Sequence, residues 1–140
     1  MFKNKPIGIW IVCIYLGVTT LWGLNLYTDY LITGHDENNP YHLALSSHGL
    51  LGWAWIYFKQ FWVLGSCTLL FRLNAKATYG FFVYFCISII SSIWMLVESE
   101  PQSTAELIGL AIGAAFGPML IGGIYLYVVQ LLNKGVLNNH

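Results

Sequence analysis

Apolar side chains fall in four long blocks along this chain, residues 7–27, 44–71, 78–97 and 107–132, and the polar ones collect between them. Each block reaches the ~20 residues that a helix needs to cross ~30 Å of hydrocarbon. The pattern predicts an all-α integral membrane protein, a four-transmembrane-helix bundle that fills residues 1–140 as one domain. The first block follows "MFKNKP" as the core of a signal peptide would. Its apolar stretch is longer than an h-region, however, and "LWGLNLY" offers no small-x-small cleavage site. It reads as a retained first helix.

Composition removes the soluble alternative. Of 140 residues, 57% are hydrophobic and 9% charged, too few polar side chains to cover a water-soluble globule of this size. The charges then set orientation, because basic loops stay on the cytoplasmic side. Lys3 and Lys5 precede the first block, Arg72 and Lys76 join the second to the third, and Lys134 follows the fourth. Asp29, Asp36, Glu37, Glu98, Glu100 and Glu106 all lie in the other two connections. Both termini are predicted to be cytoplasmic, with a bacterial inner membrane as the expected location and the lipid bilayer as the first partner. A net charge of zero and the lack of a basic patch argue against nucleic acid.

Lys59 is the one basic residue outside this scheme. If the span runs from Gly49 to Phe71, Lys59 is ten residues from one end and twelve from the other, roughly 15–18 Å from either surface at 1.5 Å per residue. If it runs from Leu43 to Val63, the lysine stem can carry its ammonium out to the cytoplasmic headgroups. At 100° per residue, His48, Gly52, Trp55, Lys59, Trp62 and Ser66 share one narrow stripe. A polar and aromatic stripe is expected to face protein, and Trp55 and Trp62 are spaced to set rings beside the ammonium. At matching depth the other blocks carry Thr19, Thr20, Ser88, Ser91, Ser92 and the Gly117-Pro118 pair, and no carboxylate. A buried ammonium is costly without an anion. A buried Lys59 would therefore lose its proton or meet an anion supplied by a ligand, a lipid or a partner subunit, with Trp55 and Trp62 as the other candidate contact residues, and the missing acid is equally an argument that the lysine stays out of the bundle.

The fourth block has a packing motif. Gly109, Gly113 and Gly117 repeat every four residues, and Ala114, Gly122 and Gly123 keep adjoining surface small, so another helix can approach its backbone. The partner helix belongs either to this chain, the slightly preferred reading, or to a second copy, and self-association or a membrane partner subunit is the expected company. Pro118 is expected to bend or open the helix and free the carbonyl of Ala114.

Candidate chemistry is sparse. His35 and His42 sit in the loop "LITGHDENNPYH" beside Asp36 and Glu37, a spacing that matches no standard ligand pattern, and they read as solvated loop residues rather than a metal site. His48, on the polar stripe near the outer surface, is suited to hydrogen bonding at the interface, to carrying a proton, or to ligating a haem iron. Met95 lies at about the depth a second axial ligand would need. Cys13, Cys67 and Cys86 lie within the spans and read as small buried hydrophobes. No C-x-x-C, Gly-rich phosphate loop, H-E-x-x-H or nucleophile–base pair is present to support a hydrolase or a nucleotide-binding protein.

The stretch "NPYHLALSSHGLLGW" on the second of four blocks resembles the small four-helix membrane proteins of the hydroxylaminobenzene mutase and styrene oxide isomerase type. The resemblance rests on Asn39-Pro40 and on Leu45 to His48, together with the four-span layout. It implies His48 as a haem ligand in a small oligomeric isomerase-like bundle.

Two functional classes follow. The first is a small inner-membrane subunit or scaffold without catalysis, binding partner helices through the glycine ridge and the aromatic stripe, with Lys59 meeting a carboxylate in trans. The second is a haem-binding isomerase or redox protein anchored by His48, so the sequence leaves enzymatic activity open. The first leads because nothing in the residues requires chemistry. A less favoured third class, an anion or proton path through Lys59, lacks the inverted repeat such paths usually use.

Overall fold

The computed structural model describes residues 5–33, 50–98 and 104–138. Among them run four helices, α1 (Ile7–Thr33), α2 (Leu50–Phe71), α3 (Ala77–Glu98) and α4 (Thr104–Asn133). Ile7–Thr33, Ala77–Val97 and Thr104–Asn133 are long and apolar enough to cross a membrane. The fourth, α2, has 22 residues and so a length of about 33 Å, but Lys59 and Gln60 at its centre lower its apolar character. The expected start of this block, residues 44–49, lies outside the described residues.

Two boundaries differ from the sequence expectation. α1 continues past Tyr27 to Thr33, taking Asp29 into the helix, because no glycine or proline interrupts the chain before Gly34. The Thr33 hydroxyl donates to the Asp29 carbonyl at 2.7 Å and caps this extension. α4 begins at Thr104, with Glu106 in its first turn, where a carboxylate favours the positive end of the helix dipole. α4 also continues as helix through Pro118.

The chain divides into two compact units, Met1–Phe71 and Arg72–His140, each built on one antiparallel helix pair. In the first, contacts fall on α2 as they rise on α1. Trp10 meets Phe71 edge to face at 5.0 Å, Cys13 meets Cys67, and Tyr30 stacks on Trp53 at 5.3 Å. Ile9, Leu16 and Thr20 on α1 and Ile56, Val63, Cys67 and Leu70 on α2 are buried, at the three-, four- and seven-residue spacings that keep side chains on one helical face. The Lys5 ammonium lies over the Phe71 ring, 3.3 Å from its centroid, and also donates to the Phe71 carbonyl. This closes one end of the pair.

In the second unit Ser88 approaches Gly117, Phe85 lies against Gly122, and Tyr125 meets both Phe82 and Phe85. Burial concentrates towards the connection with the first unit, at Ala75, Ala77 and Phe81 and at Val128, Leu131 and Leu137. α4 ends at Asn133, and just past it Gly135, with a positive φ of 68°, brings the Val136 N–H onto the Leu131 carbonyl at 3.0 Å and its own N–H onto the Leu132 carbonyl at 2.9 Å. The chain then turns back. The Asn138 N–H donates to the Leu73 carbonyl at 2.8 Å, and the Ala75 N–H donates to Asn138 at 2.9 Å. Leu73, with a φ of 57°, holds the left-handed conformation that aims its carbonyl at this strand-like contact. The tail thereby pins the loop that starts α3, and Leu137 beside this contact is buried.

Candidate interaction site

On α2 the residue at the helix contact is Gln60. A Cβ built on Gly23 of α1 would lie 3.0 Å from the Gln60 Nε2, so the amide fills the space that the missing side chain leaves. Reading the sequence singled out Lys59 and passed over its neighbour. The signal was available, since a glycine in α1 and a glutamine in α2 lie at matching depth. Which glycine and which polar residue meet depends on the register of the two helices, and that cannot be read from either helix alone.

Lys59 lies about 60° round the helix from Ile56, at the edge of the face that α1 covers, and is half-buried. Among the described residues it has no hydrogen-bond or ion-pair partner. Of the rest of its stripe, Ser66 is buried and its hydroxyl donates to the Trp62 carbonyl at 2.9 Å, Gly52 and Trp62 are half-buried, and Trp55 is exposed. Trp55 stacks on Phe58 at 5.8 Å and Phe58 packs on Trp62 at 5.6 Å, so the two tryptophans are joined through Phe58 into an aromatic ladder along one side of α2. Lys59 borders that ladder. On α1, Thr19 returns its hydroxyl to the Tyr15 and Leu16 carbonyls, satisfying its own helix, and Thr20 is buried.

The glycine ridge of α4 is divided between two environments. Among the described residues, a Cβ at Gly109 or Gly113 would meet nothing within 4 Å, and one at Gly117 would meet only the Ser88 Oγ at 3.9 Å, an ordinary contact. The close approach inside the second unit falls at Gly122, where an added Cβ would lie 3.0 Å from the Phe85 ring. Thr104 to Gly109 and Ile112 to Gly113 are exposed, and Leu107, Ile108 and Ile112 carry large apolar side chains there. The N-terminal half of α4 thus offers a small-residue strip that the second unit leaves open.

Met95 on α3 is 40% exposed. His48, His35, His42, and the Asn39-Pro40 and Leu45–His48 stretches that carry the family resemblance, lie outside the described residues. No group of three or more His, Cys, Asp or Glu side chains that could hold a metal occurs among the described residues. Comparison with protein-family models, curated proteins and solved structures finds no match to this chain.

Two pairings were not foreseen from the sequence. Cys13 and Cys67, read separately as buried hydrophobes, face each other across the first unit. The tail after Asn133, read only as a basic end, folds back on the start of α3. Gly135 was its available signal, since a glycine just past a helix end commonly starts such a reversal.

Proposed function

We propose that the chain is a small polytopic protein of a bacterial inner membrane, with four spans and both termini cytoplasmic, acting as a non-catalytic subunit or scaffold that docks partner helices. The observation that supports this reading is the open strip at Gly109 and Gly113. The same helix uses its other close-approach glycine, Gly122, for contact inside the unit, and that site is filled by Phe85. Two further glycines at four-residue spacing would allow a second helix equally close to the backbone. Lys59, half-buried and without an acid among the described residues, adds a place where a partner's carboxylate would be stabilised. The partner is either another copy of this chain or a different membrane subunit.

The test is crosslinking from α4. In a background lacking Cys13, Cys67 and Cys86, a cysteine at position 113 is expected to be captured by a bifunctional thiol or amine reagent in native membranes as an adduct with a second polypeptide. A cysteine at Ala111, about 160° round the helix, is expected to give little adduct. Equal capture from both positions, or none from position 113, would remove the support for a docking face.

A further inference from the structure

The three cysteines lie on three different helices, and two of them meet. Cys13 on α1 donates its thiol hydrogen to the Cys67 carbonyl on α2 at 3.6 Å. Cys67 is buried and Cys13 half-buried, while Cys86 belongs to the other unit. Cys13 is six residues inside the start of α1 at Ile7, and Cys67 is four residues from the end of α2 at Phe71. At 1.5 Å per residue these are depths of about 9 and 6 Å. The pair therefore sits just beneath the end closed by Lys5, within reach of small solutes from the polar side.

Two thiols alone do not make a structural zinc site, which takes four ligands, and no cluster of three or more metal-ligating residues includes them among the described residues. Two cysteines in contact across one helix pair and of unequal exposure do suit stepwise oxidation, in which the accessible sulfur reacts first and the sheltered one resolves it. We infer that Cys13 and Cys67 form a modification site, a dithiol that closes to an intrachain disulfide between α1 and α2 on oxidation by a hydroperoxide. In the first step the Cys13 sulfur attacks the O–O bond of the hydroperoxide, giving a sulfenic acid and releasing the alcohol, or water when the oxidant is hydrogen peroxide. In the second, the Cys67 sulfur attacks that sulfur, the S–S bond forms and water leaves. Two S–H groups and one hydroperoxide thus become one disulfide, one alcohol or water, and one further water, with two electrons passing from the sulfurs to the peroxide oxygens. The bond would fasten the pair at its Lys5 end and hold the register that places Gln60 against Gly23.

The experiment uses the full chain in bilayer nanodiscs, treated with hydrogen peroxide or with lipid-soluble cumene hydroperoxide, then denatured and alkylated with N-ethylmaleimide for intact-mass and peptide analysis. The reduced parent adds three labels, one for each free cysteine, and the oxidised parent is expected to add only one, at Cys86. A linked peptide containing Cys13 and Cys67 is expected, and dithiothreitol is expected to restore all three labels. With two of the three thiols left, the Cys13→Ser and Cys67→Ser variants are expected to keep both labels after peroxide at the dose that converts the parent. Cys86→Ser, untouched at the site, is expected to fall from two labels to none. Survival of three labels in the oxidised parent, a link between chains, a link that includes Cys86, or a loss of label that dithiothreitol does not reverse overturns the inference.

Discussion

Replacing Gly122 by leucine tests the packing of the second unit. Its added Cβ would stand 3.0 Å from Phe85 Cε2 and 3.6 Å from both Cδ2 and Cζ, closer than an unstrained carbon contact, and the rest of the leucine side chain has to pass the same ring. Phe85 cannot simply swing aside, because its ring stacks on Tyr125 at 6.3 Å and 7°. Forcing bulk into a filled contact costs about 1–3 kcal/mol, and giving up the aromatic stack about 0.5–1.5 kcal/mol more. A loss of about 1.5–4.5 kcal/mol is therefore expected for Gly122→Leu, measured as the shift in reversible unfolding followed by circular dichroism in mixed micelles of denaturing and mild detergent. Phe85→Ala makes room for the leucine, so in a double-mutant cycle the pair is expected to cost less than the sum of the single changes. A Gly122→Leu protein as stable as the parent, or a pair whose costs simply add, would refute the register placed between α3 and α4.

Other expectations follow from the same contacts. Lys59→Met keeps the length and removes a half-buried charge, so it is expected to preserve insertion and leave unfolding equal or slightly raised while weakening capture of a partner. Lys59→Glu places an acid at the same depth and is expected to reduce the folded yield, seen by quantitative blotting of membranes; equal behaviour of the two variants would mean that the charge at position 59 is fully solvated. Leu137→Ala empties a position that is 4% exposed at the base of α3 and is expected to cost about 2–4 kcal/mol. Asn138→Ala, whose bonds to the loop before α3 are made by its backbone, is expected to stay within about 0.5 kcal/mol of the parent, and the reverse order would remove the tail from the fold. A visible absorption spectrum of the purified protein is expected to lack a Soret band; a stoichiometric haem signal abolished by His48→Ala would favour the isomerase-like reading.

The helices were legible because a block of about twenty apolar residues has few other uses. Their ends were less so. α1 outran Tyr27 because helix propagation needs only the absence of a breaker, whereas the expectation was drawn from hydropathy, which changes at the membrane surface and not where hydrogen bonding stops. The pairing of small and polar residues was out of reach for a different cause. Gly23 with Gln60, and Cys13 with Cys67, are set by the register of two helices, and moving one helix by a turn would bring other residues together at no cost visible in either sequence. The glycine repeat was read as one ridge, yet within the second unit Gly109 and Gly113 meet no described residue while the tight contact falls at Gly122. Spacing identifies residues able to pack closely. It does not say which of them the chain itself uses.

The central claim, that α4 docks another helix through its open glycine strip, is tested most directly by the size of the complex that the tagged chain forms in its own membrane. After extraction in a mild detergent, the parent is expected to migrate on native gels well above a single 15.8 kDa chain with its bound detergent. Gly113→Leu fills a position with nothing within 4 Å of its added Cβ, so it is expected to leave helical content and unfolding of the chain unchanged while shifting it to the single-chain size. A parent that already runs as a single chain, or a Gly113→Leu protein that keeps the parent's complex, would contradict the claim.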